Sequence, residues 1–409
     1  MPHVIFVAPH FPANQRRFAR GLKNVGARVS AICDSRYQHL DSEVRSLIDD
    51  YEYVPSVTHE ASVLEAVRKI QARGPWVDRL EATVEAHMLP VARVRQACGI
   101  PGSTPEQIEL CRDKYKMKQF LRAKGVPCAQ NAIVNRAEDV VAFVAEVGFP
   151  IILKPRDGAG AHSTYKISDE AELRRAIAET GLDQRTAFFT AEEFVLGHEG
   201  YFDTLTVDGR VVFEAVTHYY PNVLEAMRER WISPQMITTN RIDAPGYGAL
   251  RTFGRDVIAA FELGTTATHM EWFAGPKGLM FSEIGARPPG CNFWDVYCAA
   301  NDFDLYTEWA RGIVHGTTEH TASRRYSAGL VALRPSQDGH IVGYTGVEEM
   351  QRKYGAHIFK AHLPPAGHPT QPVEAGYLAN AYVCVRHANY DTLRSTLDDI
   401  GQTVKVWAR

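Results

Sequence analysis

A chain of 409 residues is longer than one hydrophobic core ordinarily serves, so two or three domains are expected. Its 45% apolar and 23% charged residues are ordinary for a soluble globular protein, and a net charge of -3 argues against a nucleic-acid binder. No apolar stretch reaches membrane-spanning length, and seven cysteines without a C-x-x-C pair read as reduced thiols in a cytoplasmic enzyme, with neither disulfides nor zinc.

In chain order, the run Val4–Val7 has no basic leader and reads as a strand rather than a signal peptide. Further strands are expected at Ala27–Cys33 and Tyr51–Val54, with helices over Gln15–Val25 and Ser62–Ala72. This alternation predicts a small parallel, doubly wound sheet. The turn after the first strand, Ala8-Pro-His-Phe-Pro-Ala-Asn14, lacks G-x-G-x-x-G, so a dinucleotide is not expected there. His10 and Asn14 within it are either substrate contacts or ordinary loop residues.

After Gly99–Thr104 the pattern changes. Pro105–Lys124 reads as one long charged helix, Glu138–Glu146 as another, and Pro150–Lys154 as a buried strand bearing one lysine. The glycine-rich stretch Asp157–Thr164 follows, then a helix at Asp169–Glu179 and a strand at Ala187–Thr190. Gly200–Val207 and Arg210–Thr217 flank the turn Asp208-Gly209 as a hairpin. Tyr219–Gly248 is irregular and aromatic, a substrate-facing insertion by this reading, and Arg251–Leu263 is a helix. Ala267–Phe273 and Leu279–Arg287 form a second hairpin around Gly275-Pro-Lys-Gly278. Beyond His320, strands at Gly329–Arg334 and Asn380–Arg386 with a helix at Tyr390–Ile400 suggest a small α+β unit. The expected division is 1–104, 105–320 with a lid at about 126–191, and 321–409.

The second hairpin carries the densest chemistry. Alternation puts His269 and Glu271 on one face of their strand, and Glu283, Gly285 and Arg287 on one face of theirs. If those faces coincide, two carboxylates and a guanidinium converge. Paired carboxylates need a cation, and hard oxygen ligands suit Mg²⁺ carrying phosphates. Arg287 would then face charge that develops in phosphoryl transfer. The same residues also fit a plain ribbon with a solvated charged face. Lys154 needs a counterion in its apolar strand, supplied either by a bound polyphosphate or by a protein carboxylate. Backbone N–H groups around Gly158, Gly160 and Ser163 could close on phosphate oxygens. Lys114 could meet the same phosphates or simply be solvated. The linker from Glu192 and Glu193 through Phe194 and Val195 to Glu199 could present backbone to an adenine edge and a carboxylate to ribose. A strand with charged ends is the alternative.

In order and spacing these pieces resemble the ATP-grasp superfamily, over roughly Pro105–Gly316. The resemblance implies an α/β and α+β architecture: a Rossmann-like parallel-sheet domain, a two-lobed ATP-grasp domain and a small terminal domain. It implies that Lys114 and Lys154 hold ATP phosphates, that the Gly158–Ser163 loop closes over them, and that Glu192 and Val195 read adenine while Glu199 reads ribose. It implies magnesium, or manganese in its place, on Glu271 and Glu283, with Arg287 and the Gly290 N–H stabilising an acyl phosphate and a tetrahedral intermediate. Gly285 departs from the pattern: many members carry Asn there as a further metal ligand, which puts a second ion's coordination in question. The His269-Met-Glu271 and Glu-x-Gly-Ala-Arg segments look most like the L-amino-acid ligase and carnosine-synthase branch, ADP-forming enzymes that join a carboxylate to an amine. His269 is a substrate contact or a structural hydrogen-bonding residue. Branches acting on bicarbonate or formate, and a non-catalytic nucleotide-binding protein, are the alternatives; the retained glutamates, lysines and Arg287 argue against the last. Small-molecule carboxylate and amine substrates and a homodimer complete what the resemblance implies, while charge and hydropathy point to neither a nucleic-acid nor a membrane partner.

Overall fold

The computed structural model describes residues 1–157, 163–184 and 186–409, so Gly158 and Gly160 lie outside the described residues. At the amino end, four parallel strands stand in the order Asp50–Tyr53, Arg28–Cys33, His3–Val7, Arg79–Glu81. The two central strands are almost wholly buried, as expected for a sheet covered by helices on both faces. The helices Gln15–Asn24, Glu60–Arg73 and Glu85–Cys98 accompany it.

Pro105–Lys124 is two helices rather than one. Thr104 and Gln107 form a capping box at the start of Pro105–Leu110, and Asp113 then leaves helical geometry. Its carboxylate accepts from the N–H groups of Tyr115 and Lys116, restarting the chain as Lys114–Ala123. Aspartate favours such a cap over a helix interior. Next comes a four-stranded antiparallel sheet ordered Asn131–Val134, Phe189–Glu193, Ile151–Pro155, Tyr165–Ile167. Helices Ala137–Val147 and Glu170–Thr180 complete its own small core.

An antiparallel sheet of eight strands forms the floor. Its order is Gly278–Gly285, Thr266–Gly275, His198–Val207, Arg210–Tyr220, Gln235–Thr238, Ser327–Leu333, Ala381–His387, Ile358–His362. Gln235–Thr238 falls inside the stretch read as irregular. It is a wholly buried four-residue strand linking the earlier strands to Ser327–Leu333. The sheet therefore runs without a break past residue 320. The helix Gly248–Phe261 packs closely on it: a Cβ on Gly254 would lie 2.5 Å from the ring of Phe202.

Two of these strands carry a histidine pair away from the cleft. His198 Nε2 is 2.9 Å from His218 Nδ1, and His218 Nε2 is 2.9 Å from the Tyr247 hydroxyl. Burial, and then the neighbouring His198, push His218 down to about 3. An unfolded histidine titrates near 6.5, so the unfolded chain takes the proton first as pH falls. This group's contribution is intact above about pH 6.5 and declines at up to about 1.4 kcal/mol per pH unit toward pH 3. In urea unfolding at a series of pH values, His218→Gln should show a shallower loss of stability below pH 6 than the parent. Equal slopes would contradict the burial argument.

Candidate active site

Glu271 lies directly opposite Glu283 in the antiparallel pair, and His269 lies opposite Gly285. Directly opposed residues share a face, so the two carboxylates point the same way. After Glu271 the register shifts, pairing Trp272 with Phe281 and leaving Ser282 as the extra residue of a bulge. The bulge turns the Ser282 carbonyl to the Lys118 ammonium, 2.6 Å away.

Lys114 and Lys118 stand one turn apart on Lys114–Ala123, so they share a helix face. Lys114 Nζ is 3.4 Å from Glu283 Oε2. Lys118 Nζ and Lys154 Nζ each lie 2.9 Å from a different oxygen of Glu192. A protein carboxylate thus neutralises Lys154, and it serves two lysines. Glu192 is fully buried; burial pushes its carboxyl up, but the two ammonium groups outweigh that and hold it below the usual range. Removing it strands Lys118, which is 0% exposed. Glu192→Ala is expected to cost about 3–5 kcal/mol, read as a fall in thermal midpoint. An unchanged midpoint would mean that the triad is not coupled as described.

With its carboxylate between two lysines and its backbone in the sheet between Asn131 and Ile152, Glu192 is not placed with a free edge for adenine. Glu193 Oε2 accepts from Lys277 at 2.8 Å, and Phe194 N–H donates to Pro150 O. Val195 follows, past the end of the strand. Lys166 lies 4.3 Å above the Phe194 ring.

Glu199 is held by the segment after the Arg210–Tyr220 strand. Its Oε2 accepts from Val223 N–H at 2.7 Å, and its own N–H donates to the Asn222 side chain at 3.0 Å. Burial, followed by repulsion from Glu271, raises its carboxyl to about 8. Glu283 goes the other way: burial raises it, but Lys114, Lys154, Lys118 and His269 bring it to about 2. His269 Nδ1 sits 2.7 Å from Asp203 Oδ1, whose other oxygen accepts from the Tyr297 hydroxyl at 2.6 Å. Burial alone would lower His269; Asp203 and Glu271 overcome it and lift it to about 9, so the ring is an imidazolium at neutral pH. Arg287 donates from Nε to Glu85 Oε2 at 2.9 Å and from Nη1 to Pro288 O at 2.8 Å.

Lys114, Lys154, Ser163, Glu192, Glu193, Phe194, Val195, Glu199, His269, Glu271, Glu283, Arg287 and Gly290 all line one cleft of about 1920 Å³. Asn14 reaches it too, whereas His10 is turned to Asp34 at 3.2 Å and lies outside the lining. The sequence reading missed Lys118, four residues after Lys114 and therefore on the same helix face. It also missed Glu85 and Tyr377, for which no local pattern exists. Glu271 and Glu283 both raise the Glu199 carboxyl across this cleft, and the opposed pair Glu271 and Glu283 suits a hard dication between them. Among the described residues, no group of three or more His, Cys, Asp or Glu is arranged to bind a metal by itself. An ion there would need phosphate and water oxygens to complete its shell.

A nucleotide-sized cleft between a small antiparallel lid and a large antiparallel floor, with lysines above and paired glutamates below, is the layout of the ATP-grasp fold. Residues 113–198 match the family described as carbamoyl-phosphate synthase L chain, ATP binding domain. An L-arginine-specific L-amino acid ligase of Bacillus subtilis is 25% identical over 338 residues, 81% of this chain and 80% of that one. Alanine–anticapsin ligase of Bacillus subtilis (strain 168) is 28% identical over 194 residues, 41% of each chain. The fold is similar to an L-amino acid ligase from Bacillus licheniformis at TM-score 0.77 and 15% identity, covering 100% of this chain and 99% of that one. No helix among the described residues is long and apolar enough to cross a membrane.

Proposed function

We infer that this chain is an ATP-dependent, ADP-forming ligase that activates a carboxylate as an acyl phosphate and joins it to an amine. The observation that carries the reading is the convergence of Lys114, Lys154, Glu271, Glu283 and Arg287 on one cleft. Two ammonium groups and one carboxylate leave the Lys118–Glu192–Lys154 triad with one positive charge, which attracts a polyphosphate. Lys114 adds to that field, Ser163 lines the same cleft, and Val195 presents backbone to the adenine edge beside Phe194. Glu199, anchored by Val223 and Asn222, faces the ribose. Glu271 and Glu283 would hold magnesium, or manganese in its place, which when bound neutralises phosphate charge.

The donor carboxylate oxygen attacks the γ-phosphorus in line and ADP departs, with the lysines spreading the charge. The amine then attacks the acyl carbon. Arg287 and the Gly290 N–H stabilise the oxyanion, and phosphate leaves. His269, charged and fixed by Asp203, lies 3.7 Å from Glu271 and is placed to meet a substrate carboxylate. The matched relatives are named for arginine and for alanine with anticapsin, so at least one substrate here is assigned as an amino acid. We assign residues 1–104, 105–320 and 321–409 to three units around the cleft. We also assign the protein to the cytoplasm, which seven free cysteines support, and to a homodimer, on family resemblance.

Phosphate release from ATP, measured with amino-acid mixtures and separately with bicarbonate and formate, tests the reading. Release that depends on an amino-acid pair supports it. Release with bicarbonate or formate alone moves the chain to the carboxylase and purine-biosynthesis branches, and none with any acid leaves a non-catalytic nucleotide binder.

A further inference from the structure

Glu85 opens the helix Glu85–Cys98 and is 202 residues from Arg287 in sequence, yet its carboxylate lines the same cleft. Its Oε2 accepts from Arg287 Nε at 2.9 Å. Arg112 faces the other oxygen, with Nε 3.9 Å from Oε1, beyond hydrogen-bond range, and steadies the Glu85 carbonyl through Nη1 at 3.2 Å. These two guanidinium groups are the charges paired with it among the described residues. Gly285 belongs to the same arrangement. A Cβ there would stand 3.2 Å from Glu85 Oε2 and 3.5 Å from Arg287 Cγ. Gly285 has no positive φ. Crowding, not backbone conformation, explains its bareness: it leaves room for the pair.

Phosphoryl transfer has no use for this carboxylate. Beside Arg287 it can meet a substrate ammonium, and of those in the proposed reaction only the incoming amine must give up its proton to react. An amine attacks only after losing a proton, and Arg287 marks where the acyl oxygen sits. A carboxylate hydrogen-bonded to Arg287 therefore lies next to the attacking nitrogen. We propose that Glu85 is a further catalytic residue, which binds the acceptor ammonium through Oε1 and takes its proton. The proposal rests on the ligase reading above, and it defines the acceptor as an amine that arrives protonated. In the step, the ammonium gives one proton to Glu85 and the new C–N bond forms. The C–O bond to phosphate breaks, and phosphate leaves with that electron pair and takes up a second N–H proton. Glu85 returns its own proton to solvent.

Glu85→Gln keeps an oxygen for Arg287 Nε and removes the charge. Full-length parent and variant are given ATP, Mg²⁺ and the proteinogenic L-amino acids, with or without hydroxylamine, and products are identified by mass spectrometry. Hydroxylamine is neutral near neutral pH and intercepts acyl phosphates without needing a proton acceptor. The variant is expected to keep hydroxamate formation within about 3-fold and to lose dipeptide formation by about 10²-fold or more. Equal falls in both products, or retained dipeptide formation, overturn the proposal. Gly285→Ala, which crowds Glu85 without removing it, should likewise depress dipeptide more than hydroxamate, and parity counts against the role. A parent enzyme that forms no hydroxamate from any amino acid defeats the ligase reading itself, and this proposal with it.

Discussion

Glu283→Ala should abolish turnover, by about 10³-fold or more, because on the proposed reading it removes one of the two carboxylates that would hold the metal on the transferred phosphate. The protein should remain folded, since the Glu283 side chain is 25% exposed and faces the cleft. The variant also strips Lys114 of its 3.4 Å partner. With less negative charge in the cleft, nucleotide binding in the absence of divalent ions should hold or tighten while the chemistry is lost. Paired measurements of phosphate release and of ADP affinity, with and without Mg²⁺, check both halves. Full activity with Mg²⁺ would remove Glu283 from the metal site.

Arg287→Met should split the kinetic constants. On the proposed mechanism the guanidinium, already paired with Glu85, gains a second partner charge when the acyl oxygen becomes an oxyanion, so kcat should fall by about 10²- to 10³-fold. ATP affinity should change little, because Arg287 bonds Glu85 and Pro288 O rather than the lysine cluster. Steady-state kinetics beside direct ATP titration would decide this; comparable losses in kcat and ATP affinity would contradict the role.

The hairpin that bears both glutamates is legible because strand alternation and a Gly-Pro-Lys-Gly turn are local signals, and the opposed pair Glu271 and Glu283 follows once register is set. Lys154 is legible for a different reason: a lone charge in an apolar strand demands a partner. Which partner is not local. Glu192 comes from a neighbouring strand of the lid, whereas the sequence favours a polyphosphate over a protein carboxylate as the counterion. Lys118 was hidden among four basic residues from Arg112 to Lys118, although its spacing from Lys114 could have singled it out. The strand Gln235–Thr238 escaped notice because four residues after a proline carry too little periodicity; its place is fixed by its neighbours in the sheet. Asp113 broke an apparently continuous helix through its side chain, a capping effect that charge counting conceals. Glu85 and Tyr377 reach the cleft from opposite ends of the chain, and contacts of that span are written in packing alone.

The most direct test of acyl-phosphate formation follows one oxygen atom. With an amino-acid donor labelled with ¹⁸O in its carboxylate, ATP and an amine acceptor, the account predicts ADP and inorganic phosphate carrying one ¹⁸O per amide bond formed. Unlabelled phosphate, or AMP and pyrophosphate as products, would contradict it.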